Sequence, residues 1–272
     1  PISHTGGAYS FARSAIGPWA GLITGLAETV KYILTPAVIV FFISSYLTSI
    51  FETPDHLQPL WWLLCYIVFV ALNCMSAELS FRIAIVVTIL ALGVLAVFWL
   101  SAIPFADFSR WALNIATGPD GELIELPNGG GAFLPLGWGS VLAAMPFAMW
   151  LFLALEQLPL AAEESLDPKQ DMPKGLIFGM FTLTFSALMI VFFNASIGAR
   201  ESGQLHGAFS LATSSEPLLD GFRVIYGTDI AKLLALFAVI GLIASFHTII
   251  YAAGRQIFAL SRAGYYPSVF SD

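Results

Sequence analysis

Charged residues are scarce in this sequence, and their scarcity excludes most classes of soluble protein. They make up 11% of the 272 residues, whereas hydrophobic residues make up 58%. An ordinary soluble domain carries about 25% charged residues. Six apolar stretches reach the roughly 17–25 residues that are needed to cross a bilayer. We therefore predict an all-α polytopic membrane protein, one domain over residues 1–272, with spans at 17–50, 60–77, 83–103, 138–162, 176–197 and 230–253.

Cysteine and histidine are also few, which argues against disulfide, metal and catalytic sites. Cys65 and Cys74 lie on one predicted helix, about 13 Å apart along its axis, so they cannot form a disulfide with each other. The four histidines show no metal-ligand spacing, and no nucleophile–base motif is present. We expect no enzyme activity, no cofactor, no metal and no nucleic-acid partner.

Acidic and basic residues are segregated between alternate loops, which predicts the membrane topology. Ten acids lie in three loops, namely Glu52, Asp55, Asp107, Asp120, Glu122, Glu125, Glu201, Glu216, Asp220 and Asp229. Basic residues dominate the other loops, namely Arg13, Arg82, Lys169, Lys174, Arg255 and Arg262. Because basic loops stay on the inner side of a membrane, residues 1–16, 78–82, 163–175 and 254–272 are predicted to be cytoplasmic, with the protein in the inner (plasma) membrane.

One acid interrupts an apolar stretch. Glu156 lies inside the span predicted at 138–162, six residues after Trp150 and three before Pro159. A carboxylate at mid-depth costs roughly 2.5–3.5 kcal/mol unless it faces a polar cavity or a partner, and proline tends to break a helix. Transporters build substrate and ion sites from such broken helices. The alternative is a protonated Glu156 that is hydrogen-bonded to a neighbouring helix.

Other polar residues within the spans have two interpretations each. Glu28 and Lys31 are one helical turn apart, so they form either a structural ion pair or a proton-coupling set in which Glu28 faces Glu156. His247 is either a proton relay or a core residue that is hydrogen-bonded to a neighbouring helix. Trp150 is either a gate over a bound amine or a packing aromatic.

Local patterns predict several smaller elements. Gly17, Gly21 and Gly25 form a small-residue ridge for close helix packing, after a short amphipathic helix in residues 1–18. Residues 78–82 form a tight link, so the spans on either side should be antiparallel neighbours. Turn signals in residues 104–137 indicate a small hairpin, and residues 216–227 indicate a short surface helix.

Three sequence runs, spread over nearly the whole chain, resemble permeases of the amino acid–polyamine–organocation (APC) superfamily. They are Thr5-Gly6-Gly7-Ala8-Tyr9 with Gly17-Pro18, Ala162-Glu163-Glu164 with Asp167-Pro168-Lys169, and Arg255-Gln256-Ile257-Phe258-Ala259 with Gly264. The resemblance implies helices three to eight of a twelve-helix transporter with an inverted five-helix repeat, without helices one, two and nine to twelve. It also implies an unwound sixth helix at 154–158.

The resemblance extends to the residues of the site. It implies a substrate pocket lined by Trp150, Leu153, Ala154, Leu155, Glu156, Gln157, Pro36 and Ile39. It also implies that Glu156 is a gating carboxylate that Glu28 meets on the cytoplasmic side of the site. Together with the residue chemistry above, this assigns gating or proton coupling to Glu28, Lys31, Glu156 and His247. Within the superfamily the sequence is most similar to ethanolamine permeases. Some relatives carry a lysine in helix five in place of a sodium ion, but residues 88–93 here carry no charge.

We therefore expect a secondary active transporter that imports a small amine, either ethanolamine or an amino acid. Alternating access around the unwound helix would be coupled to protons or to exchange. The expected partners are the substrate, the coupling proton and the lipid bilayer, with a homo-oligomer as a possibility that the sequence leaves open. The alternative is a channel or a non-transporting sensor on the same scaffold.

Overall fold

The chain, described here by a computed structural model, is almost entirely helical. The structure describes residues 7–75, 77–153, 155, 157–158, 160, 165–198 and 207–271. At 75, 77–81 and 83 it describes only the backbone. The α-helices are α1 (Gly7–Ala15), α2 (Pro18–Phe51), α3 (Gln58–Met75), α4 (Ala77–Ala102), α5 (Gly137–Leu151), α6 (Pro168–Ser196), α7 (Gly207–Leu211), α8 (Pro217–Tyr226) and α9 (Thr228–Arg262). Single helical turns are Asp55–Leu57, Ile103–Phe105, Phe108–Ala112 and Ser268–Phe270. The predicted all-α architecture is confirmed.

Five helical segments in the described part of the chain are long and apolar enough to cross a membrane. They are Pro18–Phe51, Asp55–Cys74, Ala84–Phe105, Pro168–Ser196 and Thr228–Arg262. The sixth predicted span, 138–162, stays a prediction: its α-helix, α5, ends at Leu151 after 15 residues, and part of 152–162 lies outside the described residues. At 1.5 Å per residue, α5 covers roughly 22 Å of a ~30 Å hydrocarbon layer. The α-helix therefore ends inside the predicted span, as the interrupted-helix prediction requires.

Helices α2 and α9 form the centre of the protein. They are 34 and 35 residues long and pack along each other in opposite directions. Each is about 50 Å long, so both extend beyond the hydrocarbon layer. Ile43 of α2 and Phe246 of α9 are fully buried and belong to one hydrophobic core. Helix α3 packs on this pair through Tyr66, whose ring lies edge-on to Phe246 at 5.0 Å between centroids.

One end of the α2–α9 pair, called the inner end because the charge pattern predicts it to be cytoplasmic, is covered by α1 and by the residues that follow α9. Gly21 packs against Arg13 of α1, and Gly25 packs against Leu260 of α9. Gly17 has no atom near its added Cβ position, so the predicted glycine ridge makes close contacts at two of its three positions. The Tyr266 hydroxyl donates a hydrogen bond to Thr29 Oγ1 over 3.0 Å.

The acidic loops gather at the opposite, outer end. The predicted hairpin is present as an antiparallel pair, β1 (Ile115–Thr117) and β2 (Leu123–Glu125). The predicted surface helix is α8, and its Phe222 is buried edge-on against Phe98 of α4. Ser45 of α2 donates a 2.6 Å hydrogen bond to Glu216, just before α8, which ties this helix to the centre.

The predicted link at 78–82 is wrong. These residues form the first turns of α4, which begins at Ala77, directly after position 76. A membrane helix can continue beyond the hydrocarbon layer with polar residues at its end. The low hydropathy of residues 78–82 therefore does not distinguish a helix end from a loop. The two helices are also weak neighbours, because α3 packs mainly on α2 and α9, and α4 packs mainly on α9.

Candidate functional site

A small cavity lies where α2, α9 and the end of α5 meet. Its volume is about 120 Å³. Three of the residues predicted to bind substrate or to lie beside it, Ile39, Trp150 and Leu153, line this cavity together. The other lining residues are Thr35, Phe42, Leu242, Ser245 and Ile249. Predicted residues from α2 and from the end of α5 therefore border one cavity, and their roles in substrate binding stay predictions.

A second, larger cavity of about 300 Å³ lies between α4 and α9. Gln157, another predicted substrate-binding residue, lines it and is only 6% exposed. Within the described part of the chain, neither Oε1 nor Nε2 of Gln157 has a hydrogen-bond partner. Thr88 and Thr248 also face this cavity, and Ser245 lines both it and the smaller one. The two cavities therefore share one lining residue, Ser245, which carries a hydroxyl group.

A third cavity, of about 610 Å³, leads towards the outer end of the bundle. It shares Phe42, Trp150 and Leu242 with the smallest cavity. Its outer wall is formed by Tyr46 and by the segment before α8. Trp150 therefore borders both this cavity and the small one, and its predicted role as a gate stays a prediction.

The geometry after α5 differs from that of an α-helix. The Phe152 amide donates to Met149 O over 3.1 Å, and the Leu153 amide donates to Trp150 O over 3.2 Å. These are tighter, three-residue turns. The described positions from 152 to 160 are not α-helical. Irregular backbone at membrane depth occurs only where it is buried in protein or faces a water-filled cavity.

Four predicted site residues lie elsewhere or cannot be described. Pro36 is buried inside α2 but lines none of the three cavities. Leu155 packs towards α6, since a Cβ added at Gly179 would lie 3.1 Å from its Cδ1. Ala154 and Glu156 lie outside the described residues. Their predicted roles stay predictions.

The Glu28–Lys31 pair forms within α2. Lys31 Nζ lies 3.9 Å from Glu28 Oε1, and the two side chains are 20% and 9% exposed. Lys31 also lies over the Tyr32 ring, 4.3 Å from its centroid. The structural ion pair that the spacing allows is therefore present. Whether Glu28 also faces Glu156 stays a prediction.

His247 is buried in α9 and contacts α3. Its Nδ1 lies 3.0 Å from Nδ2 of Asn73. The same amide nitrogen donates to Phe69 O over 2.8 Å, which fixes the orientation of the amide. The same nitrogen also donates to the backbone oxygen of His247 over 3.3 Å. The predicted hydrogen bond to a neighbouring helix is thus present.

Sequence reasoning did not single out Phe42, Leu242, Ser245 or Ile249 as cavity residues, nor Asn73 as the partner of His247. The sequence does contain a pattern that indicates the residues lining the cavity. Positions 35, 39 and 42, like positions 242, 245 and 249, recur at the three- and four-residue spacing of one helix face. Nothing in the sequence pairs position 73 with position 247, because that contact depends on how the helices pack.

Metal ligation finds no support in the described part of the chain, where no group of three or more histidine, cysteine, aspartate or glutamate side chains converges. Cys65 and Cys74 are both free, with Cys65 buried and Cys74 exposed. The polar groups near the cavities are hydroxyls and amides. Such groups can fix the orientation of a small organic ligand by hydrogen bonding.

Among the proteins that this chain resembles are a transporter and a permease. It is 28% identical over 280 residues to an uncharacterized transporter of Rhizobium meliloti (strain 1021), covering 99% of this chain and 54% of that protein. It is 26% identical over 145 residues to the branched-chain amino acid permease BcaP of Bacillus subtilis (strain 168), covering 53% of this chain and 30% of that protein. The chain therefore spans about half the length of the Rhizobium transporter.

A family model described as amino acid permease matches residues 2–272. The match agrees with the helical architecture and with the APC resemblance, which is thereby confirmed as a partial permease fold. Since the match covers nearly the whole chain, this multi-pass membrane protein belongs to the amino acid permease family of small-molecule transporters.

Proposed function

We propose that this chain is the core of a secondary active permease that imports a small amine, either ethanolamine or an amino acid, by alternating access. The observation that carries the proposal is the cavity shared by Ile39, Trp150 and Leu153 beside the end of α5. Broken helices at mid-membrane present free backbone groups to a substrate. In the proposal, Trp150 gates the outer side, while the substrate ammonium binds the carbonyl groups after Leu151 and the Glu156 carboxylate.

Coupling to protons is proposed to involve Glu28, Lys31, Glu156 and His247. A buried carboxylate beside a lysine, as in the Glu28–Lys31 pair, holds or releases a proton according to its surroundings. Glu28→Gln should abolish accumulation driven by a proton gradient while sparing exchange of substrate across the membrane. His247→Asn tests the relay role separately. An unchanged pH profile of uptake in that variant would leave His247 with a structural role only.

The charge pattern of the loops supports a proposal for where the protein lies and how it is oriented. We propose the inner (plasma) membrane, with α1 and the chain end after α9 on the cytoplasmic side and the β1–β2 hairpin outside. Cysteine accessibility to an impermeant reagent tests this topology: a cysteine introduced at Glu122 should be labelled from outside, and one introduced at Lys169 only after permeabilisation. We also propose that the protein is not an enzyme and requires no cofactor.

Uptake in liposomes tests the transport proposal. The full-length protein should take up radiolabelled ethanolamine or an amino acid with saturation, and unlabelled arginine, glutamate and alanine serve as competitors. Absence of saturable uptake for every amine would overturn the proposal. Unchanged amine recovered after incubation is the result expected for a transporter without enzyme activity.

The alternative is a channel or a non-transporting sensor on the same scaffold. Counterflow separates the two classes, because a transporter preloaded with unlabelled substrate accumulates labelled substrate transiently. A channel gives flux that does not saturate, and a sensor binds substrate without any flux. The family match to permeases favours the transporter.

A further inference from the structure

We propose that α1 and the first turns of α2 bind an anionic phospholipid, whose headgroup phosphate is held by Arg13 and whose acyl chains lie along the exposed face of α2. This ligand would bind outside the three cavities and independently of transport. Its placement in the inner leaflet rests on the proposed orientation of the protein. Three features support the site: the packing of α1 on α2, the surroundings of Arg13 and the apolar residues next to it.

Helix α1 folds back along the first turns of α2. Tyr9 lies beside Gly25, since a Cβ added to that glycine would be 3.4 Å from Tyr9 Cδ2. Arg13 lies beside Gly21, where an added Cβ would be 2.8 Å from the Cβ of the arginine. The two helices therefore form an antiparallel hairpin that turns at Gly17, whose φ is 128°. Arg13 lies about one helical turn from the start of α2, at the end of the apolar span.

The guanidinium of Arg13 is held in place but is not neutralised. Its Nη1 donates a hydrogen bond to the Tyr9 hydroxyl over 2.7 Å, and the Tyr9 ring is buried edge-on against Tyr265. Arg13 is exposed, and the ion pairs found among the described residues all lie elsewhere. Because a guanidinium has five N–H donors, Arg13 keeps donors for a second acceptor. Two oxygens of a phosphate match this planar group.

Apolar side chains are exposed on both helices of the hairpin. Phe11 and Ile16 are exposed on α1 and at the turn that follows it. On α2 the exposed apolar residues recur at the three- and four-residue spacing of one helix face, namely Trp19, Ile23, Leu26, Val30 and Ile33. This face runs from the end of the span towards the middle of the bilayer. It offers acyl chains a continuous surface, with a tryptophan at the depth of the headgroups.

The charge at this end of α2 favours a headgroup with a net negative charge. Arg13 is the only charged residue between positions 7 and 27. A second exposed arginine, Arg262, lies in the last turn of α9, which packs on the same end of α2. Anionic lipids of the inner leaflet attract basic residues near the membrane surface. Phosphatidylglycerol should therefore bind more tightly than phosphatidylcholine, whose choline cancels the charge of its phosphate.

Lipid titration of the full-length protein in detergent, followed by native mass spectrometry, tests the role of Arg13. Phosphatidylglycerol and phosphatidylcholine with identical acyl chains give the ratio of the two affinities. Arg13→Gln should lower this ratio about fivefold, the factor expected for one arginine near an anionic surface. Arg13→Lys should keep most of the preference, because the charge remains. Lys169→Gln is the matched control, since it removes an exposed cation of α6 that lies outside the hairpin.

Trp19→Ala separates the apolar part of the site from the charged part. It should weaken both lipids by the same factor and leave their ratio unchanged, because both have the same acyl chains. Soluble glycerol phosphate should not displace phosphatidylglycerol, since it has no acyl chains to contact α2. Higher salt should lower the preference of the wild type, because the Debye length falls from about 10 Å at 0.1 M to about 3 Å at 1 M.

Three outcomes would overturn the proposal. The first is an unchanged affinity ratio in Arg13→Gln, which is also the result expected if another helix of the full-length protein covers this face. The second is an equal loss in Lys169→Gln, which would mean that the protein attracts anionic lipids without a defined site. The third is displacement by glycerol phosphate, which would identify a site for free phosphate. Each ratio compares two lipids on the same sample, so partial misfolding of a variant does not obscure it.

Discussion

Gly25 of α2 lies so close to α9 that a Cβ atom added to it would be 2.7 Å from Cδ2 of Leu260. Leu260 is buried, with 1% of its surface exposed, so it has little room to move away. A glycine at this position lets the two central helices approach closely. The contact sets the inner end of the α2–α9 pair, whose middle lines the small cavity.

Gly25→Leu should therefore lower the free energy of unfolding by about 1–3 kcal/mol, the usual cost of overpacking. Gly93 of α4 provides the control, because a Cβ added there meets no atom within 4 Å. Gly93→Leu should leave stability unchanged or raise it, since leucine favours helix more than glycine does. Thermal unfolding in detergent compares the two variants. Equal melting temperatures would contradict the close contact.

Asn73→Ala should lower the free energy of unfolding only slightly, because it removes one contact between α3 and α9. It removes the amide that bonds to His247 Nδ1, and hydrogen bonds between membrane helices contribute about 0.6 kcal/mol on average and about 1.7 kcal/mol at most. Cys74→Ala is the control at the next position, where the side chain is exposed. Unfolding by detergent titration measures both. If Asn73→Ala lowers the free energy of unfolding no more than Cys74→Ala does, the contact does not stabilise the protein.

Lys31→Met should destabilise the protein through the charge that it leaves behind. The Glu28 carboxylate, 3.9 Å from Lys31 Nζ, would remain buried without its cation, a change that costs about 3 kcal/mol in comparable cases. The double variant Glu28→Gln/Lys31→Met should recover most of that loss. Thermal unfolding of the two single variants and the double variant gives the coupling. Strictly additive effects would mean that the pair does not interact.

Glu52→Gln should change how stability depends on pH. Lys232 donates a hydrogen bond to Glu52, and that bond, together with the lysine charge, lowers the pKa of the Glu52 carboxyl from its ordinary value of 4.5. With a folded-state pKa below the unfolded one, the stabilisation is complete above pH 4.5 and is lost as the pH falls through the lowered pKa.

The melting temperature of Glu52→Gln should therefore lie slightly below that of the wild type at pH 7, and the difference should shrink progressively below pH 4.5. Glu122→Gln is the control, because Glu122 is an exposed acid of the outer hairpin. Melting curves recorded from pH 7 downwards provide the measurement. If the difference in melting temperature between the wild type and Glu52→Gln grows as the pH falls, the prediction is wrong.

The parts of the fold that sequence reasoning predicted are those that local rules govern. Apolar length predicted the long helices, and turn signals predicted the β1–β2 hairpin and the position of α8. The link at 78–82 was wrong because polar residues at the end of a membrane helix and polar residues in a loop have the same hydropathy. Only the backbone hydrogen bonds distinguish the two, and a sequence does not display them.

Some of the residues that line the small cavity were also named from the sequence. Ile39, Trp150 and Leu153 were identified through the APC resemblance, and the structure gathers them around one cavity. The helix ends at Leu151, three residues before the predicted unwound segment. Contacts such as Asn73–His247 depend on the rotation of one helix against another, which the periodicity of a single helix does not determine.

The walls of the small cavity differ in how they are built, and this difference bears on how selectivity could change. Two walls come from α2 and α9, whose lining residues all lie within an α-helix. The third comes from Trp150 in the last turn of α5 and from Leu153, which follows the last α-helical residue, Leu151. Replacements on the first two walls should alter substrate size preference in steps that track side-chain volume. Replacements after Leu151 should shift the backbone as well, so their effects on different substrates should not follow volume alone.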